Sequence, residues 1–246
     1  MIRKFKEKDF PAVNDILKDA FDMCDAECRK MLVMINPTEN LFLVETEYEI
    51  VCVASAIPVN IGDKKGRYIY AVATKKNNRN KGYATSLLKY MMKYFDEDVI
   101  LLKPASENLF DFYRKIGFDT VISADICEYY PQNIFCDITK CELKEYIDLR
   151  KKFNNFNFDD DVVKYYVDTY KYSCVQGCDA LALYRVDKDV CYIDEVYGIN
   201  KEILIQGIIK AENAKKAVVT KNGDTPFALA HFYNNQFDIK FRIPME

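Results

Sequence analysis

Apolar residues recur along this chain with two periods, and the switches between them mark its elements. At Ala84, Leu87, Leu88, Met91, Met92 and Phe95 they fall three and four apart, which predicts an amphipathic helix, the strongest such signal in the sequence. Earlier, Val13, Ile16, Leu17, Ala20 and Phe21 predict a helix with Asp9 as N-cap and Pro11 in its first turn. Residues 25–35 predict a second, with Cys28, Met31, Leu32 and Ile35 inward, broken before Pro37 because a residue preceding proline is pushed out of the α region. Strands are expected over 2–5, 41–45, 50–59 and 68–74, the middle two as a hairpin around Glu47, Tyr48 and Glu49. Residues 99–102 form a further apolar strand, and a strand-helix-strand unit crosses over right-handed into parallel pairing. Ser106 then caps a short helix carrying Leu109, Phe110, Tyr113 and Ile116; it stops at Gly117, before a strand over 118–122.

Beyond residue 125 the pattern partly repeats. Helices over 142–153 and 160–170 precede a hairpin, 180–186 and 190–196, turned at Asp187-Lys-Asp189. A helix over 201–214 and a strand over 217–220 follow; Asn222-Gly-Asp224 reads as a turn, with last strands over 226–232 and 237–243. The order helix, helix, hairpin, helix, strand echoes the first half with one strand missing. The expected organisation is therefore two α/β domains with mixed sheets, 1–124 and 125–246.

Composition narrows the function classes. With 246 residues, 50% hydrophobic and 30% charged, the chain is globular in type. No apolar run approaches the roughly 20 residues a membrane helix needs, and no apolar segment follows the basic start, so a cytoplasmic protein without membrane contact is expected. A net charge of −3, with interspersed signs, argues against a nucleic-acid partner. Nine cysteines without a C-x-x-C pair read as reduced, mostly buried thiols, and a single histidine, His231, argues against a metal site among them. His231 itself, lacking a nucleophile motif beside it, reads as a structural or surface residue.

The remaining chemistry concentrates between the third strand and the strong helix. Lys75-Lys-Asn-Asn-Arg79-Asn80-Lys81-Gly82-Tyr83-Ala84 feeds straight into a helix N-terminus, where free N–H groups and the positive end of the helix dipole meet. That is an anion site, with Gly82 allowing close approach and Arg79 and Lys81 adding charge. The second half has no such turn: Tyr-Gly-Ile-Asn-Lys-Glu stands between 196 and 203.

In this context Arg79-Asn-Lys-Gly82-Tyr-Ala84 resembles the Q/R-x-x-G-x-G/A turn of the GNAT superfamily of N-acetyltransferases. Asn108, followed by Tyr113-Arg-Lys-Ile-Gly117-Phe118, is similar to the family's second signature. The resemblance is firm over 2–120; beyond it only the element order is shared, as in a degenerate GNAT-like repeat. The strand before the turn lacks the family's usual proline, with Lys75-Lys-Asn-Asn78 in its place.

The resemblance implies acetyl-coenzyme A as cosubstrate, without a metal. Its pantetheine arm would lie along Val72, Ala73 and Thr74, its pyrophosphate on Arg79, Asn80, Lys81, Gly82, Tyr83, Ala84 and Thr85, with Asn108 nearby. Acyl transfer to an amine passes through an oxyanion and releases a thiolate that must be protonated. Tyr113 maps to the family's usual acid, a phenol that stays protonated at neutral pH. For a base the sequence offers only Glu45, Glu47, Glu49 and the pair Asp194-Glu195, each more in keeping with a solvated strand or turn residue. The expectation is an N-acetyltransferase acting by direct attack on a small-molecule or peptide amine, monomer or homodimer, with the second half on the acceptor side. The alternative is a non-catalytic acyl-coenzyme A sensor or scaffold.

Overall fold

The computed structural model describes residues 1–239. The chain divides into two compact units: Met1–Val121 with Ala228–Phe237, and Ile122–Phe227 with 238–239. The first unit therefore takes in a segment from near the end of the chain.

In the first unit, β1 (Ile2–Lys4) leads through a single 3-10 turn into α1 (Phe10–Phe21), α2 (Asp25–Ile35) and a one-turn α3 (Pro37–Asn40). Strands β2 (Leu41–Glu45), β3 (Ile50–Ile61) and β4 (Lys64–Thr74) follow, then α4 (Tyr83–Tyr94), β5 (Val99–Leu102) and α5 (Asn108–Ile116). β1 through β4 pair antiparallel in order, β4 pairs parallel with β5, and the end of the last strand pairs antiparallel with β5 through 229–232. The parallel pair is the expected consequence of the right-handed strand-helix-strand unit. Leu87, Leu88 and Met91 of α4 are fully buried against Phe42, Val51, Ile100 and Phe118, so the helical stripe is the inward face as its spacing requires.

Asp9 does not cap α1. Its carboxylate takes two bonds from the Arg3 guanidinium, 2.6 and 2.9 Å, and the Lys6 N–H at 2.8 Å, and no side-chain cap is present. A buried carboxylate with a bidentate arginine in reach makes the stronger charge-assisted bonds. Chiefly through the Arg3 hydrogen bonds, Asp9 titrates below its ordinary value of 3.8. A carboxyl with a lowered folded pKa contributes stability that is complete above its unfolded pKa and lost as pH falls through the folded one. Arg3→Ala should thus destabilise the protein at neutral pH and flatten its stability profile between about pH 2 and 5. Urea titrations across that range check this; an unchanged acid limb overturns it.

The second unit repeats the first. β6 (Thr120–Tyr129) enters it, followed by β7 (Thr139–Lys140), α6 (Leu143–Phe153), β8 (Phe156–Phe158), α7 (Asp160–Tyr170), β9 (Ser173–Gly177), β10 (Ala180–Asp187), β11 (Val190–Gly198), α8 (Lys201–Ala211) and β12 (Lys216–Phe232). The order β7, β9, β10, β11, β12 runs antiparallel through β11 and then parallel, matching β1 to β5. The strand missing from the sequence pattern is β9, a short Ser-Cys-Val-Gln-Gly run that periodicity does not reveal. The core of this unit is separate, built on Val175, Tyr184, Ile193, Leu204, Ile208 and Val219. Both units have the α/β fold with a mixed sheet that the resemblance implies.

Two expectations for the end of the chain change. Asn222-Gly-Asp224 is part of β12 and not a turn, because β12 pairs with β6. There the Asp125 carboxylate accepts the N–H groups of Asp224 and Thr225 and the Thr225 hydroxyl. Of the strand expected over 237–243, residues 237–239 are not strand and 240–243 lie outside the described residues. α8 also ends at Ala211, short of 214.

Candidate active site

The parallel pairing of β4 with β5 covers only Gly66–Tyr68 against Val99–Leu101. Beyond that point β4 continues to Thr74, held on its other side by β3, where Thr74 faces Cys52 and Ala73 faces Val53. Among the described residues no strand therefore pairs with the edge toward β5 from Ala71 to Thr74, and its backbone groups before the Thr74 carbonyl are open to an extended ligand.

A bulge interrupts β4 at this place. The register jumps between Val53 and Ser55, and Ala71 lies at φ 54, in the left-handed region. A bulge leaves its extra residue out of the ladder and turns its backbone groups aside. Ser55, fully buried among apolar neighbours, donates its hydroxyl to the Tyr70 carbonyl at 2.7 Å and fixes the near side of the bulge. Neither Ser55 nor Ala71 stood out in sequence: alanine is no bulge former, and one serine in an apolar strand has no pattern of its own.

The basic turn lies at the end of the same strand. Arg79 donates through Nε to the Thr74 carbonyl at 3.1 Å, which fastens turn to strand, and its guanidinium stands 3.8 Å from Asp19. Asn80 and Gly82 both take left-handed conformations, φ 62 and 80, and Gly82 is the N-cap of α4. No side chain caps the helix, so the first-turn N–H groups of Tyr83, Ala84 and Thr85 have no intrahelical partner. Arg79, Asn80, Lys81 and Gly82 are exposed, and nothing stands within 4 Å of a Cβ built on Gly82. The turn is an open cradle of N–H donors with lysine and arginine at its rim, suited to a phosphate ester.

Tyr113 is buried on α5, and Val72, Tyr83 and Ala84 pack against the cluster that contains it. Its ring meets Phe112 and Phe118 edge-on at 5.0 and 6.1 Å. Among the described residues its hydroxyl has no hydrogen-bond partner, and burial alone pushes its pKa up to about 12. At neutral pH the phenol is therefore protonated. Asn108, the first residue of α5, is exposed. The glycine stop is as expected, Gly117 at φ 128, and His231 donates its Nδ1–H to the Gly117 carbonyl, 2.9 Å away. His231 is therefore a structural residue of the first unit.

The candidate bases are less available. Glu45 is bound by Arg3 at 2.7 Å and titrates low for that reason, while Glu49 pairs with Lys75. Glu47 is exposed at the hairpin tip. Asp194 and Glu195 are buried in the second unit, the first hydrogen-bonded by the hydroxyls of Tyr166 and Tyr172, the second by Tyr146 and Arg150, so neither is a free base. Among the described residues no group of three or more His, Cys, Asp or Glu is placed to hold a metal ion, and no helix is long and apolar enough to cross a membrane. Five of the nine cysteines are buried, and all nine are free thiols.

The mixed sheet of the first unit thus parts beside a helix N-terminus, with an open strand edge next to a cradle of N–H donors. Residues 1–121 match the model of the acetyltransferase (GNAT) domain, and this part of the chain belongs to the GNAT family. Compared by sequence with the curated proteins, the chain finds no match. Among solved structures it is similar to a GCN5-related N-acetyltransferase from Anabaena variabilis, with TM-score 0.76 and 14% identity over 95% of this chain and 73% of that one. It is also similar to a probable N-acyltransferase from Enterococcus faecalis, TM-score 0.72 and 12% identity, covering 94% and 72% of the two chains. A third, a GCN5-related N-acetyltransferase from Kribbella flavida, has TM-score 0.68 at 9% identity, covering 94% and 71%. At these identities the likeness is one of fold, and it extends over both units.

Proposed function

We propose that the chain is an acetyl-coenzyme A-dependent N-acetyltransferase, with residues 1–124 as its coenzyme-binding half, transferring to a primary amine by direct attack in a ternary complex. The observation that carries this reading is the open turn from Arg79 to Ala84, fastened to a strand edge that stands unpaired from Ala71 to Thr74. The coenzyme supplies an activated thioester acyl group. The N–H groups of 80–85 and the side chain of Lys81 would hold its pyrophosphate, and the empty space over Gly82 leaves room for the phosphate oxygens. The open edge of Val72, Ala73 and Thr74 would take the pantetheine arm in the manner of an added strand. Tyr113 would donate its hydroxyl proton to the departing sulfur. The acceptor is a small-molecule or peptide amine, met in the cytoplasm.

Gly82→Trp tests the donor site. At φ 80 any side chain costs about 1–2 kcal/mol of backbone strain, but the cap is exposed with nothing within 4 Å of a Cβ, so the new side chain projects into the cradle. Coenzyme A binding, measured by calorimetry, should weaken by about a hundredfold or more, with far-UV dichroism unchanged. Retained affinity removes the turn from the account.

One observation favours a second reading, a non-catalytic acyl-coenzyme A sensor or scaffold: two of the three carboxylates of the first hairpin are engaged, Glu45 by Arg3 and Glu49 by Lys75. Thiol release from acetyl-coenzyme A across a broad panel of amines separates the two. Binding without transfer to any of them supports the sensor.

A further inference from the structure

The second unit has a strand gap of its own. β11 pairs parallel with β12 only over Val190–Ile193 against Lys216–Val219. A register shift follows at Leu183/Tyr184, leaving Asp194 as the extra residue on β11 as Ala71 and Val72 are on β4. Past this bulge β11 runs on to Gly198 without β12 beside it, and a cavity of about 370 Å³ opens there, floored by Ile205 of α8. Only Ile199 and Asn200 join β11 to α8, whereas residues 75–82 join β4 to α4. A two-residue link is too short to form a turn of the kind that runs through Gly82.

Its lining states the chemistry. Tyr129, Phe153 and Tyr197 contribute aromatic faces, with the rings of Phe153 and Tyr197 only 3° from parallel at 6.3 Å. Tyr197 is held in orientation by Asn154 Nδ2, which donates to its hydroxyl at 2.9 Å. Lys201 and Lys221 both line the cavity, and the Lys221 ammonium sits 4.6 Å over the Tyr129 ring. The one acidic side chain of the lining, Glu202, already receives the Tyr129 hydroxyl at 3.4 Å. Two cations against one carboxylate leave a single positive charge.

We propose that this cavity in the second unit is a binding site for a small aromatic carboxylate, whose ring lies against Phe153 and Tyr197 and whose carboxylate lies between Lys201 and Lys221. The site is built from residues of the second unit alone and does not depend on the first unit being catalytic.

Because the chain contains no tryptophan, the fluorescence of indole-3-acetate can be followed directly in the presence of the full-length protein. Saturable binding tighter than about 1 mM is expected, weakening with added salt. Tryptamine, which carries the same ring with a cationic tail, should bind at least about tenfold more weakly. Lys221→Glu and, independently, Lys201→Glu should each weaken indole-3-acetate about tenfold or more, and Phe153→Ala several-fold, with dichroism unchanged. Coenzyme A should not displace the probe. The proposal is overturned by the absence of saturable binding, by equal affinity for tryptamine, by displacement with coenzyme A, or by normal affinity in a folded variant of either lysine.

Discussion

Glu195→Ala should lower the stability of the protein by about 3–5 kcal/mol, the cost of leaving a buried charge without its partner. Glu195 is fully buried and accepts from Arg150 Nε and Nη2, each at 2.7 Å, and from the Tyr146 hydroxyl at 2.6 Å. Arg150 is 1% exposed, and its third nitrogen, Nη1, donates to Asn157 Oδ1 at 2.7 Å. Removing the carboxylate strands the guanidinium where water cannot reach it. Replacing the whole set together, Glu195→Leu with Arg150→Met and Tyr146→Phe, should recover much of the loss, because desolvating the ions offsets most of what their attraction contributes. Urea unfolding followed by dichroism reads both proteins. A cost below about 1 kcal/mol for the single change would show that the pair is solvated.

Tyr113→Phe should cut turnover by about 10² to 10⁴, the range a positioned general acid contributes, while leaving coenzyme affinity nearly as it was. The substitution is unusually clean. The hydroxyl has no protein partner among the described residues, so the phenylalanine ring keeps the contacts with Phe112 and Phe118 and leaves no donor or acceptor orphaned. The pH profile adds a check that packing alone would not move. With burial holding the phenol up to about 12, no alkaline loss of activity from this group is expected below about pH 11. Single-turnover measurements with any amine accepted by the wild type provide the rate; an unchanged rate would falsify the assignment of Tyr113 as acid.

The parts of the fold that were legible early share one property: their signal is local. The stripe from Ala84 to Phe95, the helix over 160–170 and the hairpin ending in Val190–Gly198 each repeat a period often enough for neighbours in sequence to specify the element. The turn at Gly82 was legible for the same reason, since a glycine at a helix entry has a backbone meaning of its own. β9 and the Asn222-Gly-Asp224 stretch were not legible. Five residues ending in glycine, or a polar triplet that usually turns, become strand only because β10 and β6 supply the hydrogen bonds.

The site divides along the same line. By itself, the sequence determined that the first half carries a basic, glycine-bearing turn before an amphipathic helix and a tyrosine four residues ahead of a glycine stop, because helix periodicity and glycine conformation are properties of neighbouring residues. Only the tertiary structure decided that β4 stands unpaired from Ala71, that Ser55 secures the bulge there, that Asp9 belongs to Arg3, and that Glu45, Glu49, Asp194 and Glu195 are already engaged. Those outcomes depend on which strands meet and which charges are buried together, and such pairings join residues too far apart in sequence for any local pattern to record them.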